Sequence, residues 1–331
     1  MTETAHEQPA GLMTDFAWRR LMTICAAHVG TECSVARIAG GNVSHVFRVT
    51  GGNSTAILKI RGSRFSGIPD QVTDPALIAC EVRALSIYHG AAPNIFPEVL
   101  EFRPELNAMI MTDIFCDRMN YQDHLLQRPA LPGELSRLGA ALRTVHDATA
   151  DAGARVRPDL TDDQRFRDFS LEYVLERHGH PALLATSAAL KRQPRQQLIL
   201  GDLAPKNLSL AGGRVAMCDL DNVHLGYPMF DVGYLLAHIM LHHIDRPVDQ
   251  RLLTTAFLDA YFGGSGISDD DYAIVGHVAA GTALYRLSGT VPYPAVVAPE
   301  FELRVRSEVL RLLSGDHRVL DGLSAALGGA R

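Results

Sequence analysis

The chain has 331 residues, 31 Lys and Arg against 37 Asp and Glu, a formal net charge of −6, and 47% hydrophobic and 21% charged residues. That balance describes an ordinary globule long enough for about two domains, and its mild acidity argues against nucleic acid as a bulk electrostatic partner. No apolar run reaches transmembrane length and the first residues are polar, so neither membrane anchor nor signal peptide is expected; scattered Cys25, Cys33, Cys80, Cys116 and Cys218 read as free thiols of a reducing cytoplasm.

In chain order, residues 1–12 are expected to form a loose arm, after which Thr14 caps a helix to about His28 with Phe16, Leu21, Ile24 and Cys25 inward. Three strands follow, from Cys33 to Ala39, His45 to Thr50 and Ser54 to Ile60. Gly51-Gly52-Asn53 makes a hairpin of the last two. The earlier connection, Gly40-Gly41-Asn42-Val43-Ser44, is either a plain turn or a cradle whose backbone N–H groups approach phosphates. Lys59 sits in the apolar run Ala56-Ile57-Leu58-Lys59-Ile60, as an edge residue or as a lysine that grips phosphates. A helix from Pro75 to His89 carries an apolar stripe of Leu77, Ile78, Val82, Leu85 and Ile87. Glu81 lies off that stripe, either solvated or as the partner of Lys59.

Met109 to Met111 reads as a buried strand, and a boundary is expected near Asp113 to Asp117. Beyond it, helices are expected from Gly133 to about Ala150, Asp162 to Arg177, Phe230 to Ile244, and over 247–262, 269–288 and 299–314. Leu138, Leu142 and Val145 mark the inward face of the first, with His146 a packed or surface histidine rather than a catalytic one. His238 and His242 have the i, i+4 spacing of a zinc pair, but Ile239 follows where a metalloprotease has Glu, so core or surface histidines are the better reading.

The chemistry concentrates in Leu200-Gly201-Asp202-Leu203-Ala204-Pro205-Lys206-Asn207 and the strand-like Val215-Ala216-Met217-Cys218-Asp219-Leu220-Asp221. An Asp, an Asn five residues on and an Asp twelve beyond that are the groups phosphoryl transfer needs: a carboxylate for the acceptor hydroxyl, and an amide with a second carboxylate for Mg²⁺. The bland alternative is a β-hairpin whose loops carry Asp and Asn as turn formers.

The order Gly-rich hairpin, strand Lys59, helix Glu81, Gly201-Asp202-Leu203-x-x-x-Asn207, strand Asp219 resembles the aminoglycoside phosphotransferase and choline kinase superfamily. Gly226-Tyr227-Pro228-Met229-Phe230-Asp231 strengthens the likeness, and with Gly40 to Val49 it is most similar to the methylthioribose kinase-like branch. The resemblance implies an α+β, protein-kinase-like two-lobe fold: residues 1–112 as a small antiparallel β-sheet lobe with one helix, 113–331 as a larger helical lobe. It implies ATP as donor, with GTP the alternative, Mg²⁺ as cofactor, and a small-molecule hydroxyl as acceptor in an aminoglycoside-like antibiotic, nucleoside, sugar or amino alcohol. A monomer or homodimer is expected.

On the same resemblance Asp202 is the catalytic carboxylate; Lys206, four residues on, is either a cation beside the reacting phosphoryl group or an exposed, uninvolved lysine. Asn207 and Asp219 are the metal ligands, hard oxygen donors for a hard cation. Gly41, Asn42, Ser44, Lys59, Glu81, Met111 and Asp113 serve the nucleotide, while Asp221, Asp168 and Arg286 lie toward the acceptor, where Asp162, Asp163 and Glu172 are further acids. Asp231 braces the catalytic loop. Leu200 and Ala204 stand where the family has histidines, and Leu200 is the feature that favours the rival reading of a pseudokinase. Lys206-Asn207 and Leu220-Asp221 depart from methylthioribose kinase itself.

Overall fold

The computed structural model describes residues 12–38, 43–52, 54–68, 70–115, 117–150, 163–193, 197–244, 246, 248–288, 299–315 and 318–328. The first eleven residues, Gly41, Asn42, Asn53, Cys116 and Asp162 lie outside them. The chain divides into two compact units, Met1–Cys116 and Asp117–Arg331.

The first unit is built on an antiparallel sheet of five strands: β1 (Cys33–Ile38), β2 (His45–Gly51), β3 (Ser54–Ile60), β4 (Val99–Arg103) and β5 (Ala108–Thr112), in the order β1-β2-β3-β5-β4. The β2–β3 register brings Gly51 opposite Ser54, so the turn is as tight as its glycines allow. Helix α1 (Asp15–Val29) starts where Thr14 Oγ1 accepts the Ala17 amide at 3.3 Å. Its buried stripe is Trp18, Leu21, Met22, Cys25 and Val29, packed on Phe47, Val49, Ala56, Leu58 and Ile60. Phe16, expected inward, is 79% exposed, because the stripe is set by Trp18, whose ring meets Phe47 edge-on at 5.3 Å.

Both helices expected in this unit are present: α2 (Ile78–Ala91) follows α1 and is entered through the turn Pro75–Leu77 capped by Asp74. Glu81 does not stand off the apolar stripe: Ile78, Glu81, Leu85 and Tyr88 share the buried face of α2. Strand alternation explains what Glu81 meets. Ala56, Leu58 and Ile60 point into the α1 core, which leaves Ile57 and Lys59 on the other face of β3.

The second unit is helical: α3 (Tyr121–Gln127), α4 (Pro132–Thr149), α5 (Asp163–Leu171) continued by a π turn (Glu172–Glu176), α6 (Pro181–Arg192), α7 (Met229–His242), α8 (Gln250–Phe262), α9 (Asp269–Ser288), α10 (Pro299–Leu313) and α11 (Val319–Gly328). Two short antiparallel pairs, β6 (Gln197–Ile199) with β9 (His224–Gly226) and β7 (Leu208–Ser209) with β8 (Ala216–Met217), complete it. Every residue of α7 is buried, and the helix lies so close to α9 that a Cβ on Gly233 would stand 2.6 Å from the Val275 carbonyl oxygen.

Burying α7 whole also buries its histidines. His238 and His242 stay neutral in the interior: burial pushes both down, aided for His242 by His243, Arg246 and Arg286, so that it falls to about 3. Unfolded, such a histidine takes a proton near pH 6.5 that the folded chain refuses. For His242 stability is therefore complete above about pH 6.5 and is lost as the pH falls toward 3, with a slope of about 1.4 kcal/mol per pH unit, and His238 acts in the same direction. We expect the thermal midpoint to fall between about pH 7 and about pH 4, and His242→Leu to remove about one proton of that dependence. Titration of Tm against pH in both proteins checks this.

Candidate active site

The loop from Leu200 to Asn207 joins β6 to β7, and its path is fixed from below. Asp231, in the first turn of α7 and fully buried, accepts the Leu200 amide at 2.8 Å and the Gly201 amide at 2.9 Å. His146, on α4, stands 3.2 Å from the same carboxylate and 2.7 Å from the Tyr261 hydroxyl. Gly201 has φ +75°, and a Cβ there would sit 2.3 Å from the Asn222 carbonyl oxygen, so no other residue fits the bend. Leu200, where the family has His, is buried, and its backbone rather than its side chain receives the bracing bond. Asp231→Ala would strand two buried amides, about 1–3 kcal/mol each. We expect the thermal midpoint to drop by roughly 2–4 °C for every kcal/mol lost, with Asp231→Asn losing less because one acceptor oxygen survives.

This bracing sets Asp202 at the top of the bend. Both carboxylate oxygens are engaged: Oδ1 accepts the Tyr234 hydroxyl at 2.8 Å, and Oδ2 lies 3.2 Å from Lys206 Nζ. The turn Pro205–Asn207 then brings Asn207 Nδ2 back onto the Asp202 carbonyl oxygen at 2.9 Å. With its NH₂ committed there, Asn207 has its amide oxygen to offer as a ligand. The Cys218 amide donates to the Asn207 carbonyl at 3.0 Å, tying the end of β8 to the loop. Asp219 follows in the left-handed conformation, φ +67°, which turns the chain so that its carboxylate and that of Asp221 come within 4.8 Å of each other.

Asp202, Lys206, Asn207, Asp219 and Asp221 thus form one cluster within the second unit. The Lys206 ammonium is the common point: it is held above its usual range by Asp202 first and by Asp219 also, against the opposing effect of burial. The donor set, two carboxylates and an amide oxygen, suits a hard divalent cation and would be unusual for zinc.

Arg286, at the end of α9 and partly exposed, acts electrostatically on Lys206, Tyr234 and His238 and so belongs to the same neighbourhood. Tyr285 beside it meets Tyr173 edge-on at 5.6 Å, and Tyr173 packs on Phe169 at 4.3 Å, an aromatic wall reached from α5 and its π turn. Asp168 is half-buried on α5, and Glu172 is exposed.

Tyr234 is not foreseen from the sequence, and His238, read there as a non-metal histidine, joins it in this neighbourhood. The signal was their spacing from Asp231: three and seven residues on, one face of one helix.

In the first unit Lys59 Nζ meets Glu81 Oε1 at 2.6 Å, each only 3% exposed, a buried ion pair joining β3 to α2. Met109 and Met111 pair with Lys59 and Ile57 across the β3–β5 ladder and are buried. Asp113 is tied internally: Oδ2 accepts Arg48 Nε at 2.7 Å and Oδ1 accepts the Phe115 amide at 3.0 Å. Ser44 is buried, and its carbonyl accepts the Ser66 hydroxyl at 2.9 Å. Of the residues expected to serve the nucleotide, only Gly41 and Asn42 fall outside the described ones.

A family model described as "Phosphotransferase enzyme family" matches residues 34–273. Over 198 residues the chain is 23% identical to a methylthioribose kinase of Citrobacter koseri, a match covering 50% of this chain and 49% of that protein, so about half of that relative's length is spanned. Among solved structures, a choline/ethanolamine kinase family protein from Mesorhizobium loti superposes with a TM-score of 0.54 at 18% identity, over 95% of this chain and 100% of that one. The amicoumacin kinase hAmiN, in complex with AMP-PNP, Ca²⁺ and Ami, superposes with a TM-score of 0.53 at 14% identity, over 89% and 92%. At these identities the structures speak for a shared fold.

Proposed function

We propose, from the premise that the chain belongs to the phosphotransferase enzyme family, that it transfers the γ-phosphoryl group of ATP to a hydroxyl of a small molecule. The observation that carries this reading is geometric: Lys206 Nζ lies 3.2 Å from Asp202 Oδ2, Asn207 Nδ2 bonds the Asp202 carbonyl at 2.9 Å, and the Cys218 amide ties the turn that bears Asp219 to the Asn207 carbonyl at 3.0 Å. A carboxylate suited to an acceptor hydroxyl and a carboxylate suited to a metal therefore serve one place. A bound nucleotide analogue with a divalent cation in the amicoumacin kinase supports ATP and a metal as the partners to test first.

In this reading Asp202 accepts the hydrogen bond of the acceptor hydroxyl and aims its oxygen at the phosphorus, which is positioning rather than covalent work. Lys206 opposes the negative charge that gathers on the transferred group. Asn207 and Asp219 are the residues to hold Mg²⁺, with Asp221 beside them. When bound, the ion would supply positive charge that offsets the charge of the transferred group. Lys59, fixed by Glu81, serves the nucleotide phosphates, with Ser44 and the adjoining glycine-rich segment; Met111 and Asp113 serve the base. Arg286 and Asp168 are assigned to the acceptor.

The test is an ATP-consumption screen over sugars, nucleosides, aminoglycosides and amino alcohols, with product phosphorylation followed by mass. Asp202-dependent transfer to a hydroxyl is the expected result. A protein that binds nucleotide but transfers nothing to any acceptor or to water would instead be the pseudokinase that Leu200 suggests.

A further inference from the structure

The family motif accounts for Asp202 but not for what holds it. A carboxylate at the end of a bend has two free torsions, and an acceptor hydroxyl is aimed only if both are fixed. Lys206, four residues along the same loop, cannot fix them alone, since an ammonium is a non-directional partner on a flexible stem. The Tyr234 hydroxyl is different. It donates to Oδ1 at 2.8 Å from a rigid ring that is almost wholly buried, stacked on Phe230 at 5.9 Å and tilted over His238 at 4.8 Å. Its helix is also the one whose first turn supplies Asp231, which braces Leu200 and Gly201. One face of α7 therefore sets the backbone of the catalytic bend through residue 231 and the carboxylate above it through residue 234.

The geometry points to Tyr234 as a positioning residue for phosphoryl transfer: its phenol fixes the Asp202 carboxylate so that the acceptor hydroxyl is received on the lone pairs Tyr234 leaves open. This rests on the phosphotransferase reading of Asp202. The donor role is secure across the working range, because burial and the neighbouring Asp202 push the phenol well above its ordinary value of 10 and keep it protonated. His238 beneath it is held neutral by burial, with Arg286 adding to the effect, so the imidazole itself brings no charge to that side of the ring.

Tyr234→Phe removes the hydroxyl and keeps the stacked ring. ATP hydrolysis to water is the readout, since it needs no knowledge of the acceptor, together with the KM for ATP and the thermal midpoint. We expect Tyr234→Phe to lower kcat roughly tenfold with KM for ATP unchanged, and to cause no further loss in an Asp202→Ala background, where nothing remains to be positioned. Site-specific difluorotyrosine at 234, which keeps a donor in place, should restore kcat to within about twofold of wild type.

Wild-type kcat in Tyr234→Phe, with Asp202→Ala inactive, would overturn the inference and leave the phosphotransferase reading standing. An equal loss from Tyr234→Phe with and without Asp202 would also overturn it, because the phenol would then act elsewhere. Asp202→Ala hydrolysing ATP as fast as wild type would remove the phosphotransferase reading, and this inference with it. If Tyr234→Phe does not fold, the difluorotyrosine protein decides: kcat reduced tenfold despite an intact donor counts against positioning, and near wild-type kcat counts for it.

Discussion

Asp202→Asn lowers turnover by about 10²–10⁴-fold, the range associated with loss of a positioned acid–base group, while the Kd for nucleotide stays within about twofold. The shape of the side chain is conserved, and the Asn carbonyl oxygen can still accept the Tyr234 hydroxyl that now reaches Oδ1. What disappears is charge: the acceptor hydroxyl loses its anionic partner, and Lys206, now 3.2 Å from Oδ2, loses its own. Nucleotide binding is spared because the groups assigned to it, Lys59 and Glu81 among them, make their 2.6 Å pair without Asp202. Asp202→Ala should be as inactive and less stable, since a buried phenol loses its acceptor at a cost of about 1–3 kcal/mol. Steady-state kinetics with a responsive acceptor, alongside calorimetric nucleotide binding, checks both halves. Unchanged turnover would remove the phosphotransferase reading outright.

Legibility in the sequence followed how local the cause was. The β2–β3 hairpin was readable because Gly51 and Gly52 carry turn chemistry in their own dihedral freedom. The ends of α1, α4 and α9 fell within a few residues of expectation because caps and periodicity are local as well. Strand β4 gave no such sign: all its residues are half-buried, so no alternation marks it. Helix α3 has a local signal that periodicity does not carry, a capping box in which Asn120 accepts the Asp123 amide at 2.9 Å and Asp123 accepts the Asn120 amide at 3.2 Å. The order of strand lysine and helix glutamate makes Lys59 and Glu81 candidate partners in the sequence, but periodicity within one helix does not show that Glu81 shares the buried face. Tyr234 is the same case for the second unit. A tyrosine in the apolar run Val232 to Leu241 reads as core, and it is core except for one oxygen.

The second large effect is expected at Asp219, where two causes have to be separated. Asp219 is one of few described non-glycine residues with positive φ, at +67°. Asp tolerates that conformation better than Ala, for which it costs roughly 1–2 kcal/mol. Asp219→Ala therefore both removes a ligand and strains the turn after β8, where the Cys218 amide anchors Asn207. Asp219→Gly removes the ligand and relaxes the turn. If the carboxylate holds the metal, both variants lose the Mg²⁺-dependent part of nucleotide affinity to a similar extent, and turnover falls by about 10² or more. Only the alanine variant should also lose thermal stability beyond loss of the charge. Asp219→Asn keeps an oxygen donor and an αL-tolerant residue, and should show weakened but saturable Mg²⁺ dependence. Calorimetric titration of nucleotide with and without Mg²⁺, run on all three variants with their melting curves, distinguishes these outcomes. Wild-type Mg²⁺ dependence in Asp219→Gly would show that the cation is held elsewhere, since that substitution leaves no side-chain oxygen to hold it.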